Sequence, residues 1–278
     1  MKTKTKMAAL GLLFPLLLAT TGCGPSGASS ETNARSSDAL DRIKKTGVLL
    51  WGADVIGGIP YVYEDPASPG SYIGFEMDIA QAIGKRLGVE QRMVIRAWDT
   101  LIPELQRGTF EIAMNGIEDT SDRSHFILFS KPYFVYAQQI TVRKEQEGIN
   151  ALTDLDGKTV ATLSGTAAED LLREQTGVHL RIHPEIIYSY GDLEAGKVDA
   201  VVLDTPIAAA YGAANPKLKN VGDPFAPGRY VIALRKEDEK LKAAIDEALG
   251  EMKASGQLKA IYEKWGIMSP EQQEIGVR

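Results

Sequence analysis

From residue 38 onward, short apolar runs alternate with amphipathic helical stretches. That alternation restricts the chain to α/β folds, in which helices cover sheets that are buried on their faces. Residues 47–53, Gly-Val-Leu-Leu-Trp-Gly-Ala, read as a buried strand ending at Asp54 and a turn through Gly57, Gly58 and Pro60. Residues 75–87 read as a helix, because Phe75, Ile79, Ile83 and Leu87 recur on one face at a spacing of four. Residues 94–98 and 110–114 read as strands, with a helix over 100–107 between them that ends at Gly108. Ligands of open α/β sheets bind beyond the carboxyl ends of the strands. The segments around Asp54, Trp98 and Glu118 are therefore expected to converge.

A second unit follows the same logic, with strands at 139–142, 159–163 and 198–203, the last ending at Asp204, and a helix over 167–175. Residues 230–234 give one more strand. Residues 239–255 form an amphipathic helix with Leu241, Ile245, Leu249 and Met252 inward, stopped by Gly256. The length of 278 residues suits one large or two medium α/β units with proper cores. There is no internal repeat, P-loop or dinucleotide fingerprint. His125, His179 and His183 are scattered, with Pro184 breaking any helical face for the last pair. No metal site and no cofactor are expected.

The beginning of the chain has a different character. Lys2, Lys4 and Lys6 precede an apolar run from Met7 to Ala19, the layout of an export signal. The run is shorter than the roughly 20 residues a spanning helix needs, so residues 1–22 read as a processed leader. Cys23 is the only cysteine, which rules out an intrachain disulfide. The stretch ending Thr21-Gly22-Cys23 resembles a bacterial lipobox, with Thr20 where leucine is usual. The resemblance implies lipidation of Cys23 at the mature N-terminus; the alternative is an incidental cysteine beside a simple cleavage site. Residues 23–37 contain little that can be buried and read as a flexible tether. Removing residues 1–22 takes away three lysines and no acid, so the formal charge moves from -6 to -9. An acidic chain without a basic stripe argues against nucleic acid and against adhesion to anionic lipid.

Several spaced segments resemble the family 3 bacterial solute-binding proteins, the polar amino acid binders of ABC importers. They are residues 74–84, Gly-Phe-Glu-Met-Asp-Ile-Ala-Gln-Ala-Ile-Gly; residues 98–105, starting Trp-Asp-Thr-Leu; the run from Gly116 to Arg123 followed by Phe129-Ser130-Lys131-Pro132-Tyr133; residues 198–204; and residues 256–266, ending Tyr-Glu-Lys-Trp-Gly. Motifs in register over most of the chain are more specific than any one alone. The resemblance implies a two-lobed periplasmic-binding-protein fold of type II, each lobe a mostly parallel sheet flanked by helices. Lobe 1 is expected at 38–134 plus 228–278 and lobe 2 at 138–223. Two crossing strands near 134–138 and 223–228 would join the lobes, which close on a ligand by a hinge motion. It also implies a monomer on the outer face of a membrane, partnered by an ABC permease.

By that resemblance, Arg123 grips a ligand α-carboxylate, for which a planar guanidinium fork is suited; otherwise it is a solvated helix arginine. Thr166 opens a helix as a capping box with Glu169. The same turn leaves the N–H of Ala167 free for the other side of the carboxylate. Asp204 matches the acid for the α-ammonium, or else caps the helix starting at Thr205-Pro206. Gly116 offers its carbonyl, and Trp98 is either a wall for the ligand side chain or a core residue. Asp54 touches a polar or cationic side chain, or is a turn residue.

Two positions depart from the family pattern. Gly57-Gly58 stands where an aromatic is usual, so that one aromatic wall is either missing or replaced by Tyr61. Glu118 stands where Ser or Thr is common, and its carboxylate is expected to face the ammonium, face the ligand side chain, or turn away. With Asp54, Glu118 and Asp204 against Arg123 alone, a cleft charge of about -2 calls for a cationic ligand, which favours arginine, lysine, ornithine or histidine. The alternatives are a cyclohexadienyl dehydratase-like enzyme with Glu118 as general acid, and a ligand-sensing module.

Overall fold

The computed structural model describes residues 38–56 and 58–278. The leader, the tether, Cys23 and the Gly57 position lie outside the described residues. Two five-stranded sheets form the framework. In the first the order is Glu90–Ile95, Val48–Ala53, Ile112–Ala113, Ala233–Leu234 and Leu128–Phe129. The first three strands run parallel and the last two join antiparallel. The second sheet has the order Leu218–Tyr230, Phe134–Arg143, Ala200–Asp204, Thr159–Leu163 and His179–His183. It is antiparallel over its first three strands and parallel over its last three.

Strands buried on both faces are continuous apolar runs, as in Ala200–Asp204, where every residue is buried. Edge strands have a different sequence signature. Glu90–Ile95 alternates exposed and partly buried residues along most of its length, so its polar half hides it from a search for apolar runs. The strand expected at 94–98 is therefore displaced, and Trp98 instead begins a short 3-10 turn, Trp98–Thr100. His179–His183 is a strand for the same reason and was not expected at all.

Phe134–Arg143 and Leu218–Tyr230 pair antiparallel from Tyr230 opposite Phe134 to Leu218 opposite Arg143, with register shifts around Phe225. These two long strands join the lobes. After Tyr230 the chain enters the first sheet at Ala233–Leu234, and helix Glu239–Ala254 packs on helix Phe75–Leu87. Where the long strands meet the first lobe, aromatic rings form one cluster. Tyr136 stacks on Tyr230 at 4.6 Å between centroids, Phe134 stacks on the same ring at 5.6 Å, and Tyr61 meets it edge-on at 5.7 Å. Such pairs add about 0.5–1.5 kcal/mol each beyond area burial.

Candidate ligand-binding cleft

The ends of five strands and the turns that follow them line one cleft. Asp54 follows Val48–Ala53, Asn115 and Gly116 follow Ile112–Ala113, and Thr166 follows Thr159–Leu163 by a short turn; Glu185 follows His179–His183, and Asp204 ends Ala200–Asp204. Trp98, Glu118 and Tyr61 complete the polar and aromatic wall, and Leu163, Ile186 and Ile207 the apolar one.

Arg123 sits in the short helix Ser121–Ser124, whose N-cap Thr120 accepts a hydrogen bond from the Arg123 N–H. Its guanidinium pairs with the Glu118 carboxylate through Nη1. The same nitrogen donates to the Glu118 carbonyl at 3.0 Å, Nη2 donates to the Gly165 carbonyl at 2.7 Å, and the group lies 5.5 Å above the Trp98 ring. The other Glu118 oxygen, Oε1, accepts the Ala167 N–H at 3.0 Å. Glu118 thus takes a fourth course beside those expected of it. It sits on the two donors expected to hold a ligand carboxylate, and it lines the cavity while Arg123 and Ala167 do not. Trp98 lines the cleft and also packs, partly buried, against both hydrophobic clusters, and its Nε1 donates to the Ser164 carbonyl at 2.9 Å.

Thr166 caps helix Ala167–Arg173 by accepting from the Glu169 N–H. Glu169 reaches back to the Gly165 N–H at 2.6 Å, one residue before the cap. Gly116 has φ of +64°, and a Cβ there would lie 2.8 Å from Tyr61 Cε1, so only glycine fits the approach of that ring. Its N–H is committed to the buried Glu76 at 2.7 Å.

Asp204 makes no side-chain cap to the helix that follows it. Instead Oδ1 accepts from Gln138 Nε2 at 2.8 Å and Oδ2 from the Tyr230 hydroxyl, which is itself 2.7 Å from the Tyr61 hydroxyl. Burial, then the Glu118 charge, push its carboxyl up to about 8. Asp54 accepts the Ile56 N–H at 2.8 Å, and burial raises its carboxyl, with the charge of Glu185 adding to the shift. Asp54 and Glu185 therefore form a second acidic pole.

Glu185, Asn115 and the pair Gln138 and Tyr230 were not singled out from sequence. Glu185 has a signal, since it follows the strand His179–His183 that went unseen. Gln138 and Tyr230 have none, because their contact joins strands far apart in the chain.

The family model of the bacterial extracellular solute-binding proteins, family 3, matches residues 56–268. The L-cystine-binding protein TcyJ of Escherichia coli K12 is 33% identical over 229 residues, covering 81% of this chain and 85% of that protein. Among solved structures, an amino acid ABC transporter substrate-binding protein of Streptococcus pneumoniae bound to L-arginine superposes with a TM-score of 0.77 at 28% identity, covering 84% of this chain and 99% of that one. The ancestral amino acid-binding protein AncCDT-1, a precursor of cyclohexadienyl dehydratase, gives a TM-score of 0.76 at 33% identity, covering 82% of this chain and 99% of that one. Family match, two-lobed fold and a cleft at the strand ends agree, and the chain belongs to the bacterial extracellular solute-binding proteins, family 3, the amino acid-binding components of ABC importers.

Proposed function

We propose that the cleft takes a basic amino acid, which lobes 38–134 plus 228–278 and 138–223 enclose by closing about the two long strands. The observation that carries this reading is the charge of the wall. Asp54, Glu118, Glu185 and Asp204 line the cavity, and no Lys or Arg stands among its described lining residues. Glu118 is already paired with Arg123, so the call for a cation comes from Asp54, Glu185 and Asp204, whose charged forms a cationic ligand favours. Asp204 suits an α-ammonium, the pole of Asp54 and Glu185 a side-chain cation, and the Trp98 and Tyr61 rings the methylenes between them. L-cystine, named for the E. coli relative, also brings two ammonium groups, but it carries two carboxylates to a wall without a lining Lys or Arg, where a basic amino acid carries one. Native mass spectrometry of protein purified without denaturation tests the reading: a co-purified basic amino acid supports it, and glutamate or cystine overturns it.

The non-enzymatic reading is favoured because both oxygens of Glu118 already accept hydrogen bonds, a poor arrangement for a general acid. We further propose export, cleavage after residue 22 and lipidation of Cys23, with the tether holding a monomeric globule near its permease. Loss of membrane fractionation in a Cys23→Ser chain is the expected result; unchanged fractionation contradicts the anchor.

A further inference from the structure

We infer that Glu118 is a specificity-determining residue: a carboxylate of the protein itself competes with the ligand's α-carboxylate for the Arg123 guanidinium and the Ala167 N–H, so the cleft reads its ligand by its cations and accepts the decarboxylated amine of a basic amino acid. The inference rests on the proposed cationic reading of the cleft and narrows it.

Three observations carry it. The Glu118 side chain is 2% exposed and uses both oxygens, one on Arg123 and one on Ala167 N–H. Arg123 is held from three sides, by Glu118, by the Gly165 carbonyl and by the Trp98 ring, and does not line the cavity. The charged groups that do face the cavity are carboxylates, and besides Glu118 they stand in two poles: Asp204 over the aromatic floor, and Asp54 with Glu185. A ligand carboxylate reaching for Arg123 must expel Glu118 into a wall that offers it no other cation, beside Asp204. A diamine or guanidinoalkyl amine meets both poles without that displacement. Like-charge exclusion of this kind discriminates between ligands as effectively as an added attraction.

The test is calorimetric titration of arginine and of agmatine, its decarboxylated amine, into the full chain as wild type, Glu118→Ser and Glu118→Gln. The isosteric Gln variant guards against a fold defect in the Ser variant, and circular dichroism checks both. For wild type, the expected Kd for agmatine is equal to or below that for arginine. In Glu118→Ser the preference shifts toward arginine by at least tenfold, with Glu118→Gln between the two. A wild type that prefers arginine by tenfold, with a ratio the variants move by less than about threefold, overturns the role of Glu118 and leaves the cationic cleft standing. Failure of both ligands to bind any of the three folded proteins overturns the cationic reading and this inference with it.

Discussion

Cutting the Arg123 guanidinium away strands a carboxylate that the fold has already buried. The Glu118 side chain is 2% exposed and that of Arg123 16%. Removing one partner of a buried pair costs about 3–5 kcal/mol, because the remaining charge is left uncompensated. For Arg123→Ala the Ala167 N–H still supports one oxygen of Glu118, which places the loss toward the lower end, about 3 kcal/mol. A domain of this size loses roughly 2–4 °C of melting temperature per kcal/mol, so the variant should melt about 6–12 °C lower. Glu118→Ser removes the buried acid and leaves Arg123 its carbonyl acceptors and the Trp98 ring, so its cost is smaller. The double variant should then be more stable than Arg123→Ala alone. The assay is urea unfolding of the four proteins of the cycle after ligand has been stripped by denaturation and refolding. Additivity to within about 0.5 kcal/mol, the behaviour of independent sites, would refute the claim that these side chains are one energetic unit.

Other expectations follow from the same geometry. Asp204→Asn removes the buried acid of the aromatic floor and should weaken binding of a basic amino acid by at least a hundredfold in calorimetry, as truncating one side of a buried charge pair does; an effect below tenfold contradicts an ammonium seat there. Burial raises the Glu76 carboxyl to about 7 from an ordinary 4.5. The folded state therefore holds its proton more tightly than the unfolded chain does, so this group's contribution is intact below pH 4.5 and fades as pH rises to 7. The difference corresponds to roughly 3 kcal/mol, and Glu76→Gln should flatten the fall in melting temperature between pH 5 and 8, whereas an unchanged slope contradicts it. Gly116→Ala puts a Cβ against the Tyr61 ring at a left-handed backbone position and should cost more than about 1 kcal/mol in urea unfolding; a neutral result would mean that the turn relaxes freely.

Much of the framework was legible because the physics was local. Helix Phe75–Leu87 follows from one apolar face with Gly88 in the left-handed region beyond it, and Ala200–Asp204 from an uninterrupted apolar run. The edge strands were not legible, since half of each faces water, and Glu185 was lost along with His179–His183. Asp204 could be read from its strand end but its partners could not, because Gln138 and Tyr230 reach it from the two long strands. For Glu118 the unusual acid was visible in the sequence and its partner was not. Repulsion from a ligand carboxylate suggested that it faces the ammonium, faces the ligand side chain or turns away, whereas five residues along the same chain Arg123 is close enough to pair with it.

The proposed function stands or falls on whether this cleft selects cations. Its most direct test is calorimetric titration of the stripped protein with arginine, lysine, ornithine, histidine, glutamine, cystine and glutamate at one pH and ionic strength. Heat and saturable binding confined to the basic members, with glutamate at least a thousandfold weaker, is the predicted result. Tight binding of glutamate would contradict the claim, whatever else binds.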